Sequence, residues 1–194
     1  MLSMFKLQDL KPSSDWILED SNEFLTKKCK DVTFPLNSKD SLLVNRMVNY
    51  IDACFENRDS ELDIRAGIAV AAPQVGCDKK IIYIHFVDAY DKEHKLLLAN
   101  PEIVATSVAC CYLKDGEGCL SVTKNHRGHV KRFNKIRVKA LDMLNNNKPI
   151  TVDAEGLLAI CLQHEIDHLS GILFYHRIDK KHKYLDDDKS LIVY

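Results

Sequence analysis

The sequence predicts an α+β fold in which antiparallel sheets pack around one central helix. The 194 residues are 46% hydrophobic, with only 7 Gly and 5 Pro, which favours one sizeable core over two. Residues 135–141 alternate apolar and charged side chains, a pattern typical of an antiparallel strand with one face exposed to solvent. Residues 157–171 are apolar around most of a helix circumference, which places that helix in the interior.

The first long helix is predicted in residues 38–57, after a short helical stretch at 21–29. Ser38 or Asp40 is available to cap its start. Its apolar residues recur at helical spacing, so that one face can pack on other elements: Leu43, Met47, Ile51, Cys54 and Phe55.

Strands and turns occupy the middle of the chain. The runs that favour strands are 80–88, 95–99, 107–113 and 135–141. Pro101, Asp115–Gly116 and the Asn-rich stretch 145–149 are predicted turns. The last helix is expected from about Ala154, capped by Asp153, to near Gly171. We expect one domain over residues 1–194, with 1–14 and 182–194 as peripheral, solvated tails.

Composition narrows the class of protein. The 27 basic and 28 acidic residues give a net charge of −1, and no nucleic-acid motif is present, so any contact with RNA or lipid has to be local. No apolar run approaches the roughly 20 residues that cross a bilayer, and the first residues do not resemble a secretory or organellar signal. The seven cysteines are odd in number and irregularly spaced, which argues against a disulfide framework. We therefore expect a cytoplasmic protein.

The last helix carries QHEIDH in its apolar stretch. His164 and His168 stand four positions apart, so both imidazoles can reach a single metal ion, and Glu165 lies beside the first of them. Burying an unpaired polar cluster costs several kcal/mol, roughly 2 to 7 per group, and a metal ion would remove that cost. A hydrogen-bonded core pair of histidines is the alternative.

A catalytic zinc or iron site usually has three protein ligands and one open position. Residues 169–194 contain no Glu, and Phe174 stands where a metzincin would place its third His. The better candidate is Cys119 in GEGCLSV, because a thiolate is a strong ligand for iron or zinc. The alternative is that Cys119 is one more buried thiol.

Three segments, GIAVAAPQVG (67–76), EGCLSV (117–122) and QHEIDHLSG (163–171), together resemble the signature motifs of the peptide deformylases. The chain looks most like the longer bacterial class of that family. The resemblance implies Cys119, His164 and His168 as metal ligands and Glu165 as general base and acid. It also implies two donors to the substrate oxygen, which are the Gln74 side chain and the Leu120 backbone N–H.

The resemblance further implies a methionine pocket beside the metal. The matching positions are Ile160 and Cys161 on the helix and Ile68 in the first motif. Gly67 and Ala69 fit a segment to which substrate backbone comes close, with tight core packing as the alternative. The family generally has a second glycine where this chain has Ala69, which costs about 1 kcal/mol only if φ is positive there. Asp167 is expected to form an ion pair with Arg132.

The implied activity is metal-dependent removal of the formyl group from the N-terminal formylmethionine of new polypeptides, with release of formate, near the ribosome exit. The implied cofactor is one divalent ion, Fe²⁺ in the cell, with Zn²⁺, Ni²⁺ or Co²⁺ as possible substitutes. The alternatives are a zinc endopeptidase and a protein with a closed structural site. The closed site would need a fourth ligand such as Cys110, Cys111 or His126.

Overall fold

The computed structural model describes residues 6–186, 188 and 191–194. It contains three α-helices, α1 (Ser38–Phe55), α2 (Asp59–Leu62) and α3 (Leu157–Leu169). The eight strands among these residues are β1 (Ala69–Ala71), β2 (Ile81–Val87), β3 (Glu93–Thr106), β4 (Cys110–Tyr112), β5 (Arg132–Phe133), β6 (Lys135–Asp142), β7 (Lys148–Glu155) and β8 (Ile192–Val193). The predicted α+β class, with antiparallel sheet around a central helix, is confirmed.

The larger sheet has five strands in the order β1-β2-β3-β6-β7, and every neighbouring pair is antiparallel. Helix α1 packs on one face of this sheet and α3 on the other, each over its own hydrophobic cluster. Strand β2 lies between both helices and is buried on both faces. Strand β6 shows the predicted alternation, with Ile136 and Val138 buried and Arg137 exposed between them.

Two details of this sheet correct the sequence analysis. Pro101 lies inside β3 rather than in a turn, at a register shift between Ala99 and Glu102. Such an irregularity accommodates a residue that cannot donate to the ladder. Residues 148–155 form β7 rather than a turn followed by a helix start. Strand β7 lies at the edge of the sheet, where Pro149 and exposed polar side chains are tolerated.

The smaller sheet has the order β5-β4-β8, and β8 runs parallel to β4. Residues 192–194 are exposed, as expected of a solvated terminus, but they are paired to the sheet rather than free. Leu191 is buried, and the Tyr194 hydroxyl donates to Asn134 Oδ1 at 2.9 Å. The backbone N–H of Tyr194 also donates to the Tyr112 carbonyl at 3.0 Å.

Helix α1 begins where the pattern predicted, although its cap is Asn37 rather than Ser38 or Asp40. The Asn37 side chain accepts the Asp40 backbone N–H at 2.8 Å. Helix α3 begins at Leu157, three residues later than expected, after Gly156 with φ of 61°. That left-handed conformation suits glycine and turns the chain sharply from β7 into the helix. Within the residues described, no helix combines the length and apolar character needed to cross a membrane.

Candidate metal centre

Two elements bring three donor atoms together in the interior. Helix α3 presents His164 and His168 one turn apart, with 3.2 Å between their Nε2 atoms. The loop before β5 places Cys119 Sγ 3.2 Å from His168 Nε2. All three donor atoms lie within 4.8 Å of one another, and all three residues are buried. The predicted ligands therefore converge on a single point.

The donor set fits a divalent metal ion. One thiolate and two imidazoles form a ligand set for zinc or iron with one coordination position left open. In the part of the chain that the structure describes, no fourth His, Cys, Asp or Glu joins the cluster. Cys110, Cys111 and His126 are therefore not part of it, which disfavours the closed structural site.

Glu117 fixes the orientation of His164 and was missed by the sequence analysis. His164 Nδ1 donates to Glu117 Oε2 at 2.8 Å, which directs Nε2 toward Cys119 and His168. Arg132 donates to both Glu117 oxygens, at 2.8 Å and 2.9 Å. Burial would raise the pKa of Glu117, but its hydrogen bonds with Arg132 and His164 lower that pKa to about 2. A carboxylate in this position holds the histidine in the tautomer that binds metal.

The expected ion pair between Arg132 and Asp167 is confirmed. Arg132 Nη1 donates to Asp167 Oδ2 at 2.6 Å, and both side chains are buried. Arg177 binds the same carboxylate through two of its nitrogens. A continuous chain of hydrogen-bonded charged side chains thus runs from Arg177 at the surface through Asp167, Arg132 and Glu117 to His164.

Glu165 lies in the wall of the site with an unsatisfied oxygen. The residue is 4% exposed, and its Oε2 has no hydrogen-bond partner among the residues described. Burial raises the pKa of this carboxyl to about 7, against the lowering effect of His164. A buried carboxyl with one free oxygen can accept a proton from a group that enters the cavity.

Gln74 and Leu120 flank the thiol. The Gln74 oxygen accepts the Ala71 backbone N–H at 2.8 Å, which orients the amide. Its nitrogen donates to Ser121 Oγ at 3.1 Å and lies 3.4 Å from Cys119 Sγ. The Leu120 side chain packs against Gly67, where an added Cβ would lie 3.0 Å from it. A side chain larger than that of glycine at position 67 would therefore displace the Leu120 side chain.

A cavity of about 390 Å³ opens beside the donor atoms; we call it the substrate cavity. Its lining includes all the residues that the sequence analysis placed near substrate, which are Gly67, Ile68, Ala69, Ile160 and Cys161, together with Gln74, Cys119, Leu120, His164 and Glu165. Leu113 and Leu157 also line it and were not anticipated. Ala69 is an ordinary strand residue and is not among the residues with positive φ, so its methyl group adds no backbone strain.

A His-Glu-x-x-His helix, a third buried donor and an adjoining apolar cavity are typical of a metallohydrolase with one catalytic ion. A family model described as polypeptide deformylase matches residues 14–184 of this chain. The peptide deformylase of Malacoplasma penetrans is 47% identical over 181 residues, which are 93% of this chain and 95% of that protein. The peptide deformylase of Mycoplasma genitalium is 41% identical over 169 residues, 87% of this chain and 86% of the relative.

Solved structures of peptide deformylases are also similar to this chain. A probable peptide deformylase from Synechococcus phage S-SSM7 superposes with a TM-score of 0.65 at 32% identity, covering 83% of this chain and 97% of the other. A peptide deformylase from Legionella pneumophila gives a TM-score of 0.64 at 35% identity, with coverages of 85% and 86%. The chain belongs to the polypeptide deformylase family and is a metallohydrolase.

Proposed function

We propose that this enzyme removes the N-formyl group from the formylmethionine of newly made polypeptides in the cytoplasm, close to the ribosome exit, and releases formate. The observation that carries the proposal is the convergence of Cys119, His164 and His168 at the end of an apolar cavity. We assign these residues as ligands of one divalent ion, Fe²⁺ in the cell, with Zn²⁺, Ni²⁺ or Co²⁺ suiting the same donors.

The substrate cavity suits a methionine side chain. Ile68 and Ile160 provide apolar surface, and Cys161 adds a neutral thiol because burial raises its pKa well above the ordinary value. Strand β1 lies at the edge of the five-stranded sheet. Residues 66–69 can therefore pair with an extended peptide backbone and direct its N-terminus toward the ligands.

When bound, the metal ion supplies Lewis acidity that activates water and polarises the formyl group. Glu165, which lines the cavity, takes the proton of the attacking water and passes it to the leaving nitrogen. The Gln74 amide nitrogen and the Leu120 backbone N–H donate to the formyl oxygen as charge develops on it. Loss of one such donor should raise the barrier by roughly 3 to 4 kcal/mol.

The test is formate release from formyl-Met-Ala-Ser by protein purified without oxygen and loaded with Fe²⁺ or Ni²⁺. We expect release with metal and none after chelation, with activity restored by added metal. Acetyl-Met-Ala-Ser and an internal Met-Ala peptide serve as controls for general amidase and endopeptidase activity. Cleavage of the internal peptide, or tight metal binding without formate release, would contradict the proposal.

A further inference from the structure

A second cavity, of about 380 Å³, adjoins the substrate cavity; we call it the cationic cavity. The two cavities share Arg65, Glu117, Gly118 and Cys119 in their walls. The remainder of its lining comes largely from the loop of residues 122–129. A peptide bound at the ligands therefore has direct access to this space.

The lining is rich in uncompensated positive charge. Arg65, Lys114, Lys124 and Arg127 all contribute to it, and all four are exposed. None of them forms an ion pair within 4.0 Å in the described part of the chain. Of the two carboxylates in the lining, Glu117 is already neutralised by Arg132 and His164, which leaves Asp115. Such an excess is notable in a chain whose net charge is −1.

Part of this wall is held in place. Arg65 Nη1 donates to the carbonyls of Leu120 at 2.9 Å and Val122 at 3.1 Å, which fixes the guanidinium where the two cavities meet. The His126 ring stacks on Tyr175 with 4.0 Å between centroids. His126 Nε2 is buried and has no hydrogen-bond partner among the residues described. The stacking on Tyr175 thus holds the His126 ring in the cavity wall.

We propose that the cationic cavity binds the carboxylate of an Asp or Glu side chain at the third or fourth residue of the substrate. This inference rests on the proposed deformylase function and adds a preference among nascent chains. Two or three extended residues span roughly 7 to 10 Å, about the linear size of either cavity. A carboxylate there gains from several cations at once, and the gain is screened by salt.

The experiment compares amidated peptides formyl-Met-Ala-X-Ser, with X as Glu, Gln or Lys; amidation removes the terminal carboxylate as a competing anion. The measured quantity is kcat/KM for formate release at low and high salt. We expect the Glu peptide to exceed the Gln peptide by about fivefold at low salt, and the Lys peptide to be the poorest. The preference should shrink toward unity as salt increases.

The double variant Lys124→Ser, Arg127→Ser should lose the preference and still process the Gln peptide at the original rate. Lys139→Ser is the matched control, because Lys139 is an exposed cation on β6 outside both cavities. Equal rates for all three peptides, or a preference that persists in the double variant, would overturn this inference alone. Failure with every formylated peptide would overturn the proposed function instead.

A free anion is the other source of the same chemistry. Added sodium formate distinguishes it from a substrate side chain. Any inhibition of Gln-peptide turnover by formate should be the same in the original protein and in the double variant. Inhibition relieved by the double variant would show that the cavity binds the released product, and would overturn the assignment to a substrate carboxylate.

Discussion

Helices α1 and α3 pack against opposite faces of one sheet, yet their buried polar residues have different roles. Helix α1 buries an apolar face, and its buried Asn45 is bonded to the backbone of Gln8 and Ser41. Helix α3 is buried on nearly all sides and carries His164, Glu165, Asp167 and His168 in its interior part. The buried polar side chain of Asn45 in α1 serves the fold, whereas His164, Glu165 and His168 of α3 lie at the candidate metal centre.

The buried charges of α3 are nearly all compensated by a partner. A buried ionisable group is costly unless it is paired or binds a metal ion. In α3, Asp167 meets this requirement through Arg132 and Arg177, and His164 through Glu117. Glu165 Oε2 and His168 Nδ1 remain without partners among the described residues. In α3, the two atoms left unsatisfied belong to the proposed catalytic residue and to one proposed metal ligand.

The largest effect should come from removing a ligand. His168→Ala is expected to abolish tight metal binding and lower formate release by at least about 10³-fold, because two protein donors cannot replace three. Metal content per chain and kcat/KM measure this. The matched control is His94→Ala, which removes a buried histidine paired with Asp88 away from the site. Loss of metal in the control as well would show a general folding defect.

The next largest effect should come from replacing Glu117, whose carboxylate accepts a hydrogen bond from His164 Nδ1. Glu117→Gln should weaken metal affinity by about 10- to 100-fold and destabilise the fold by roughly 3 to 5 kcal/mol, since Arg132 loses a buried partner. Chelator competition and urea unfolding measure the two quantities. Asp153→Asn, in the exposed pair with Arg137, should cost at most about 1 kcal/mol. Similar losses in the two variants would contradict the proposed role of Glu117.

A truncation in α1 should separate stability from chemistry. Met47 is fully buried in the cluster beneath α1, so Met47→Ala should lower the free energy of unfolding by about 2 to 5 kcal/mol. Metal content and kcat/KM should stay unchanged at temperatures where the variant is folded. A fall in kcat/KM without unfolding would mean that α1 also positions the site.

The smallest expected effect is a difference in iodoacetamide labelling between two buried thiols, those of Cys77 and Cys119. Burial raises the pKa of Cys77 to about 12, so this thiol is protonated at pH 8 and should resist iodoacetamide. Its labelling rate should rise about tenfold per pH unit as the thiolate fraction grows. Cys119 should be protected by bound metal and become reactive after chelation. Peptide mapping by mass spectrometry follows both sites, and labelling of Cys119 in the metal-loaded protein would contradict its assignment as a ligand.

Periodicity predicted the elements whose apolar faces are buried, such as α1 and β6. Strand β7 was missed because its edge position permits Pro149 and polar residues that are typical of a turn. Strand β8 was missed because two residues paired to a distant strand leave no periodic signal. The three proposed ligands were identified from spacing and family resemblance. Glu117 was not identified, although its position two residues before Cys119 in EGCLSV could have indicated a place at the site.

The proposed role of Glu165 as general base is tested most directly by the variant Glu165→Gln, measured for metal content and formate release together. The side chain keeps its size while losing the ability to accept a proton as a carboxylate. We expect one metal ion per chain, as in the original protein, with kcat lowered by at least about 10²-fold. Full activity with bound metal would contradict the assignment of Glu165 as the general base, and would leave the unsatisfied carboxyl of α3 without a function.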